Sequence, residues 1–140
     1  MTTQKAASSK RLKPRIVISE TDQERLTDLA NAVADRQPEI ADELLTELER
    51  AKVVKPKSVP ANVVKMGSTV EYSADDGQRR QVTLVYPGDA DIAAGKISIL
   101  TPIGTALIGL AEGQAIEWTA RDDRRHKLTV LAVSSAAAEA

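Results

Sequence analysis

The sequence predicts an α+β fold, in which a short N-terminal antiparallel helical hairpin, packed as a coiled coil, precedes an antiparallel β domain holding one short helix. Three observations predict it. Apolar residues recur at helical spacing between Leu26 and Ala51 and alternate at strand spacing from Thr69 onward. An aperiodic stretch with two prolines, Lys55 to Asn62, separates the two patterns. The charge changes at the same place, because residues 20–50 hold ten acids against Arg25, Arg36 and Arg50, whereas Lys52, Lys55, Lys57 and Lys65 follow with no acid among them.

These observations give a basic tail at 1–14, a helical hairpin at 15–54, a linker at 55–62, a β domain at 63–134 and a low-complexity tail at 135–140. The first segment carries Lys5, Lys10, Arg11 and Lys13 among small polar residues, a composition of disordered character. Arg15 to Ile18 is a β-branched run, either an edge strand or an extended lead-in. The first helix starts after it, with Thr21 and Glu24 at capping-box spacing and Ser19 as a competing cap. Leu26, Leu29, Ala30 and Val33 form its apolar stripe. From Thr21 to about Asp35 it would span about 22 Å at 1.5 Å per residue. Pro38 is placed to open a second helix, whose stripe is Ala41, Leu44, Leu48 and Ala51, widened by Leu45. Two such stripes on a short turn bury one another.

In the second half, Thr69–Ser73 and Gln81–Tyr86 flank Asp75-Asp76-Gly77, a hairpin-turn sequence. Lys96–Leu100, Ala115–Thr119 and His126–Val133 are further strands, the last two separated by a polar turn at Arg121–Arg125. Between the third and fourth strands, Thr101 to Gly109 has a proline near its start and a glycine at its end, the asymmetry of a short helix.

The residues that are missing restrict the chemistry. The chain of 140 residues has no Cys, no Phe, one Trp, two Tyr and one His, so thiol catalysis and thiolate metal sites are excluded. No phosphate-binding glycine loop, nucleophile elbow or HExxH occurs. His126 without a second imidazole reads as an exposed strand residue rather than a ligand. The carboxylate pairs Asp75 with Asp76, Asp89 with Asp91, and Asp122 with Asp123 fall where turns are expected, and Asp is favoured in turns for backbone reasons. No metal site and no cofactor is expected. The apolar runs are far shorter than the ~20 residues that cross a bilayer, which points to a cytoplasmic protein with no membrane partner. The −7 hairpin would repel a phosphate backbone, so direct sequence-specific nucleic-acid binding is not expected.

The segment Ile97-Ser98-Ile99-Leu100-Thr101-Pro102-Ile103-Gly104-Thr105-Ala106-Leu107-Ile108-Gly109 resembles the I-S-x-x-[ST]-P-[LIV]-G-x-A-L-[LI]-G signature in the C-terminal domain of bacterial GreA/GreB transcript-cleavage factors. Val64-Lys65-Met66-Gly67-Ser68-Thr69-Val70 is similar to that domain's opening, and Gly113 matches one of its turns. The resemblance implies an FKBP-like β domain over most of residues 58–133. Pro14 to Ile18, Asp22 to Leu26, Ile40 to Asp42, Glu47 to Ala51 and Thr83 to Pro87 further resemble the Rnk group, Gre-related regulators of nucleoside diphosphate kinase.

Gre factors extend a long hairpin into the secondary channel of RNA polymerase, where tip carboxylates help hold a second magnesium for RNA cleavage. The hairpin here is short, and Asp35-Arg36-Gln37-Pro38-Glu39 does not reproduce the D-x-x-E-N-x-E-Y motif of cleavage factors. The resemblance therefore implies a monomeric, non-catalytic regulator that docks at the secondary-channel rim and competes with Gre-type factors. Thr101, Pro102, Ile103 and Gly104 carry over as polymerase-binding residues, although Pro102 and Gly104 also suit a helix start and Ile103 a core. Asp35, Glu39 and Asp42 at the tip are candidate channel contacts, in a block whose charges otherwise suit a solvated helical face. The alternatives are an active Gre-type transcript-cleavage factor and an FKBP-type prolyl isomerase; against the second, such pockets are lined with aromatics, and this domain offers only Tyr72, Tyr86 and Trp118.

Overall fold

The computed structural model describes residues 15–119 and 124–135. The expected basic tail at 1–14, most of the Arg121–Arg125 turn with Asp122 and Asp123, and residues 136–140 of the expected end lie outside the described residues. Strand β1 (Val17–Ser19) leads into helix α1 (Glu20–Val33), which returns through Ala34–Gln37 into α2 (Pro38–Arg50) and strand β2 (Lys52–Val54). The cap of α1 is Ser19, whose Oγ accepts from the Asp22 N–H at 3.0 Å, so the competing cap wins over Thr21. Pro38 opens α2 as expected, since its missing N–H is one that the first turn leaves unpaired in any case.

Helix–helix packing follows the sequence stripes. Leu26, Ala30 and Val33 of α1 and Ala41, Leu44 and Leu48 of α2 are buried, while Leu29, Leu45 and Ala51 pack partly exposed at the margins. Full burial of Leu26 or Leu44 contributes about 2 kcal/mol each. Glu47 departs from the expected solvated face. It is buried on α2, and its Oε1 accepts from Arg50 Nε at 2.7 Å, so a charge-assisted bond accompanies it into the interior. The base of the hairpin is closed by parallel pairing of β1 with β2, Ile18 opposite Val53, with the Lys52 N–H donating to the Ile16 carbonyl at 2.9 Å. In the sequence Lys52 and its neighbours show only a basic connector; the partner strand that makes Lys52–Val54 extended lies 35 residues upstream.

The second half is a five-stranded sheet of β3 (Ser68–Ala74), β4 (Arg79–Val85), β5 (Lys96–Ser98), β6 (Ala115–Thr119) and β7 (Arg125–Ser135), in the order β5-β4-β3-β7-β6. It is mixed, which corrects the expectation of an antiparallel sheet: β4 and β5 run parallel, Leu84 opposite Ile97. Short connections join β3 to β4 and β6 to β7, whereas the chain between β4 and β5 makes a crossover through two single turns, Pro87–Asp89 and Ile92–Ala94. The register of β3 with β7 shifts between Glu71 and Tyr72, leaving Leu131 without an opposite residue. This bulge moves the inward set of β7 from Leu128 and Val130 to Val133 and leaves Leu131 exposed.

Helix α3 (Pro102–Leu107) lies against the sheet and the hairpin. One apolar cluster joins Ile16, Ile18, Leu26 and Leu44 of the hairpin to Val70, Leu84, Ile99, Leu107, Ile116 and Leu128 of the sheet unit.

Candidate functional site

Segment 98–109 is organised around Ser98 at the end of β5. The Ser98 hydroxyl accepts from the Leu100 N–H at 2.9 Å, and its carbonyl accepts from the Thr101 hydroxyl at 2.8 Å and the Thr101 N–H at 3.2 Å. Thr101 then caps α3, its Oγ1 accepting from the Gly104 N–H at 3.0 Å. Pro102 follows with no N–H to satisfy. The buried Thr105 hydroxyl donates to the Ile99 carbonyl at 2.9 Å and ties the helix back onto the turn. With these polar groups paired internally, Thr101, Pro102 and Ile103 sit half-buried at the surface in a fixed arrangement.

Gly104 belongs to the set differently. It is buried, and a Cβ there would stand 2.3 Å from the Ser98 carbonyl oxygen, so its part is to let the helix start approach the end of β5. Gly109 performs the same service at the other end of the segment. Its φ of +83° is the left-handed conformation, and a Cβ would lie 2.7 Å from Ile16 Cβ. Its carbonyl accepts from the Val17 N–H at 3.1 Å, and its N–H donates to the Val64 carbonyl at 2.9 Å. One segment of twelve residues thus presents Thr101 to Ile103 at its start and holds the first strand of the hairpin at its end.

A second junction lies at the base of α1. Asp22 Oδ2 accepts from the Met66 N–H at 3.4 Å, connecting the hairpin to the chain entering β3. Burial raises the Asp22 pKa, opposed by the Met66 N–H and by the charges of Arg25 and Lys65. The Tyr86 hydroxyl is buried beside Arg25, close to Asp22. Burial first, and then the Asp22 charge, raise its pKa, while neighbouring Arg25 lowers it.

At the other end of the hairpin, Asp35, Glu39 and Asp42 are all exposed. They lie on the turn and the first part of α2, on a different element from Thr101 to Gly104, and among the described residues no three His, Cys, Asp or Glu side chains converge as a metal site would require. His126 is half-buried rather than exposed. Its ring lies 5.1 Å from that of Trp118, tilted by 31°, and its Nδ1 is 3.5 Å from Asp75 Oδ2. The Asp75 carboxylate also accepts from the Lys127 N–H at 3.2 Å, so this turn residue joins β7 to the β3–β4 connection.

Gly109 with Ile16, Asp22 with Met66, and the Tyr86 hydroxyl were not singled out in the sequence. Gly109 had a visible signal as a helix terminator, but its second role needs Ile16, 93 positions away. Nothing in the local sequence distinguishes Asp22 from the other acids of α1.

The family model described as transcription elongation factor GreA/GreB, C-term matches residues 59–135, and that described as Rnk N-terminus matches residues 14–54. The regulator of nucleoside diphosphate kinase of Escherichia coli K12 is 38% identical over 107 residues, covering 76% of this chain and 79% of the relative. The transcription elongation factor GreA of Thermodesulfovibrio yellowstonii is 39% identical over 75 residues, 53% of this chain but 48% of that protein. Among solved structures, a prokaryotic transcription elongation factor GreA/GreB from Nitrosomonas europaea superposes with a TM-score of 0.69 at 41% identity, covering 87% of this chain and 99% of its own. No helix among the described residues is long and apolar enough to cross a membrane. A GreA/GreB C-terminal match over more than half the chain, joined to an Rnk N-terminal segment, shows that the chain belongs to the GreA/GreB transcription elongation factor family, in its Rnk group of regulators.

Proposed function

We propose that this chain is a transcription regulator that binds RNA polymerase at the rim of the secondary channel, competes there with Gre-type factors, and does not cleave the transcript. The observation that carries the reading is the joining of a GreA/GreB-type C-terminal unit to a short hairpin. Helix α1 has 14 residues and α2 has 13, giving an arm of about 21 Å at 1.5 Å per residue. The GreA relative matches over 48% of its own length, and the N-terminal part of this chain matches the Rnk model instead.

The parts divide as 15–54 for the arm, 55–62 for the connection and 63–134 for the docking unit. Thr101, Pro102 and Ile103 make the contact with the rim, a rigid surface that loses little conformational entropy on binding. Gly104 holds that surface in place from beneath. Asp35, Glu39 and Asp42 enter or cover the channel mouth and are attracted by its basic lining, which acts mainly on the association rate. The protein acts as a cytoplasmic monomer. Regulation of nucleoside diphosphate kinase, which the name of the Escherichia coli relative states of that protein, belongs to the same reading.

The test is competition with a Gre factor for purified core polymerase, followed by a cleavage assay on backtracked complexes. Displacement of the Gre factor without RNA shortening is expected, together with loss of displacement in folded Pro102→Asp and Ile103→Asp variants. RNA shortening that depends on Asp35 or Glu39 would establish the cleavage alternative, and full displacement by both loop variants would remove the docking assignment.

A further inference from the structure

The loop between β4 and β5 exposes a large apolar side chain without covering it. Ile92 is 88% exposed, against 42% for Val53 and 38% for Leu131. Its neighbours cannot shield it, because Ala90, Ala93 and Ala94 are small and themselves exposed. Nor is the side chain exposed through a slack backbone. The Asp91 N–H donates to the Lys96 carbonyl and the Lys96 N–H returns to the Asp91 carbonyl, both at 2.9 Å. Within that clasp the Ala94 N–H donates to the Asp91 carbonyl and the Gly95 N–H to the Ile92 carbonyl, each at 3.0 Å. Gly95 closes the turn with a φ of +76°, and its carbonyl accepts from the Thr83 N–H of β4 at 2.8 Å. A tight turn bonded to the sheet therefore presents Ile92 to solvent.

An apolar side chain held rigidly in water is a cost to the isolated fold and an advantage to a contact, because no ordering of the backbone is needed when it binds. Its place in the fold puts it beside the same edge strand as the proposed docking turn. Strand β5 is an edge of the sheet and only three residues long, with the Ile92 turn at its start and the Ser98–Thr101 turn at its end. Asp89 and Asp91 beside Ile92 are exposed, so the surface that receives it must be apolar with basic side chains at its margin.

We propose that Ile92, flanked by Asp89 and Asp91, is a second docking point for RNA polymerase, seated on an apolar patch bordered by Lys or Arg. The inference rests on the docking reading given above for Thr101 to Ile103 and extends that surface along the β5 edge. Ile92 supplies a desolvated apolar anchor, and the two carboxylates orient it.

The experiment measures binding of the full chain to purified core polymerase for the parent, Ile92→Asp, Asp89→Lys and Pro102→Asp, with circular dichroism melts and sedimentation of each. Loss of about tenfold or more in affinity for Ile92→Asp, the size expected of an interface anchor, with an unchanged melt, supports the proposal. A smaller loss for Asp89→Lys that fades at high salt supports the charged margin. Parent-like affinity of Ile92→Asp beside a weakened Pro102→Asp overturns this inference and leaves the docking reading standing. Parent-like affinity of both overturns the two together. Should Ile92→Asp instead abolish self-association of the free chain and leave polymerase binding intact, the turn is an interface between copies and the proposal fails.

Discussion

The two turns that begin α2 and α3 both place a proline at the helix start, and they are built in opposite ways. At α3 every step is tied down: Ser98 receives three bonds, Thr101 caps the helix, Thr105 returns to Ile99, and Gly104 lies under a backbone approach that a methyl group would block. At the tip of the hairpin, Gln37 precedes Pro38 with no side-chain capping bond, and Asp35, Arg36, Gln37, Pro38 and Glu39 are all exposed. The first arrangement suits the docking role proposed for Thr101 to Ile103, in which shape matters. The second offers exposed charges on a backbone turn closed by the Gln37 N–H to the Val33 carbonyl, and attraction between exposed charges depends on distance more than on detailed geometry.

That contrast can be broken most severely at Gly104. Alanine there gains helix propensity of about 1 kcal/mol, but its methyl would meet the Ser98 carbonyl at 2.3 Å, and backbone cannot move aside as a side chain can. Gly104→Ala should lose about 3 kcal/mol in a denaturant melt, the upper part of the usual cost of overpacking. A parent-like midpoint would mean that the α3 turn is as tolerant as the hairpin tip.

A smaller effect is expected where the hairpin meets the sheet. Burial raises the Asp22 pKa above 3.8, so the native state holds a proton more tightly than the unfolded chain does. Stability from this group is then greatest below 3.8 and declines as pH rises through the raised native value. Asp22→Asn keeps an oxygen for the Met66 N–H and removes the buried charge. It should melt above the parent at pH 7, with the difference shrinking as pH falls towards 4. A difference that grows on acidification would show that the ionised carboxylate stabilises the junction.

The smallest change in stability belongs to the tip. Replacing Asp35, Glu39 and Asp42 together by their amides should move stability by no more than about 0.5 kcal/mol, as for exposed surface sites. Binding to polymerase should weaken at low ionic strength and converge with the parent at high salt. A stability loss comparable with that of Gly104→Ala would erase the distinction between the two turns.

The helical hairpin was readable because its information is local: Leu26, Ala30 and Val33, and then Ala41, Leu44 and Leu48, lie one turn apart in sequence as in space. The start of α3 was readable for the same reason, Thr101 and Pro102 being adjacent. Ser19 and Thr21 could not be separated from sequence, since both have the side chain for a cap and the choice depends on where β1 ends. Strand β2 was missed because Lys52–Val54 has no periodicity of its own and becomes extended by pairing with β1. Nothing local separates Glu47 from the solvated acids, because burial on a helix face depends on what covers that face. The four residues of the expected docking set were all visible, but their division into three half-buried side chains and one buried spacer was not.

The sequence by itself determined the two helices and their facing stripes, the proline-led start of α3, most of the strands, and the charge contrast between arm and connector. Each is a property of residues within a few positions of one another, where backbone geometry alone brings side chains together. Tertiary structure decided the parallel pairings of β1 with β2 and of β4 with β5, the contact of Gly109 with Ile16, the Asp22 junction, and the exposure of Ile92. These depend on which distant segments meet, and that is set by burying both halves of the chain in one apolar cluster.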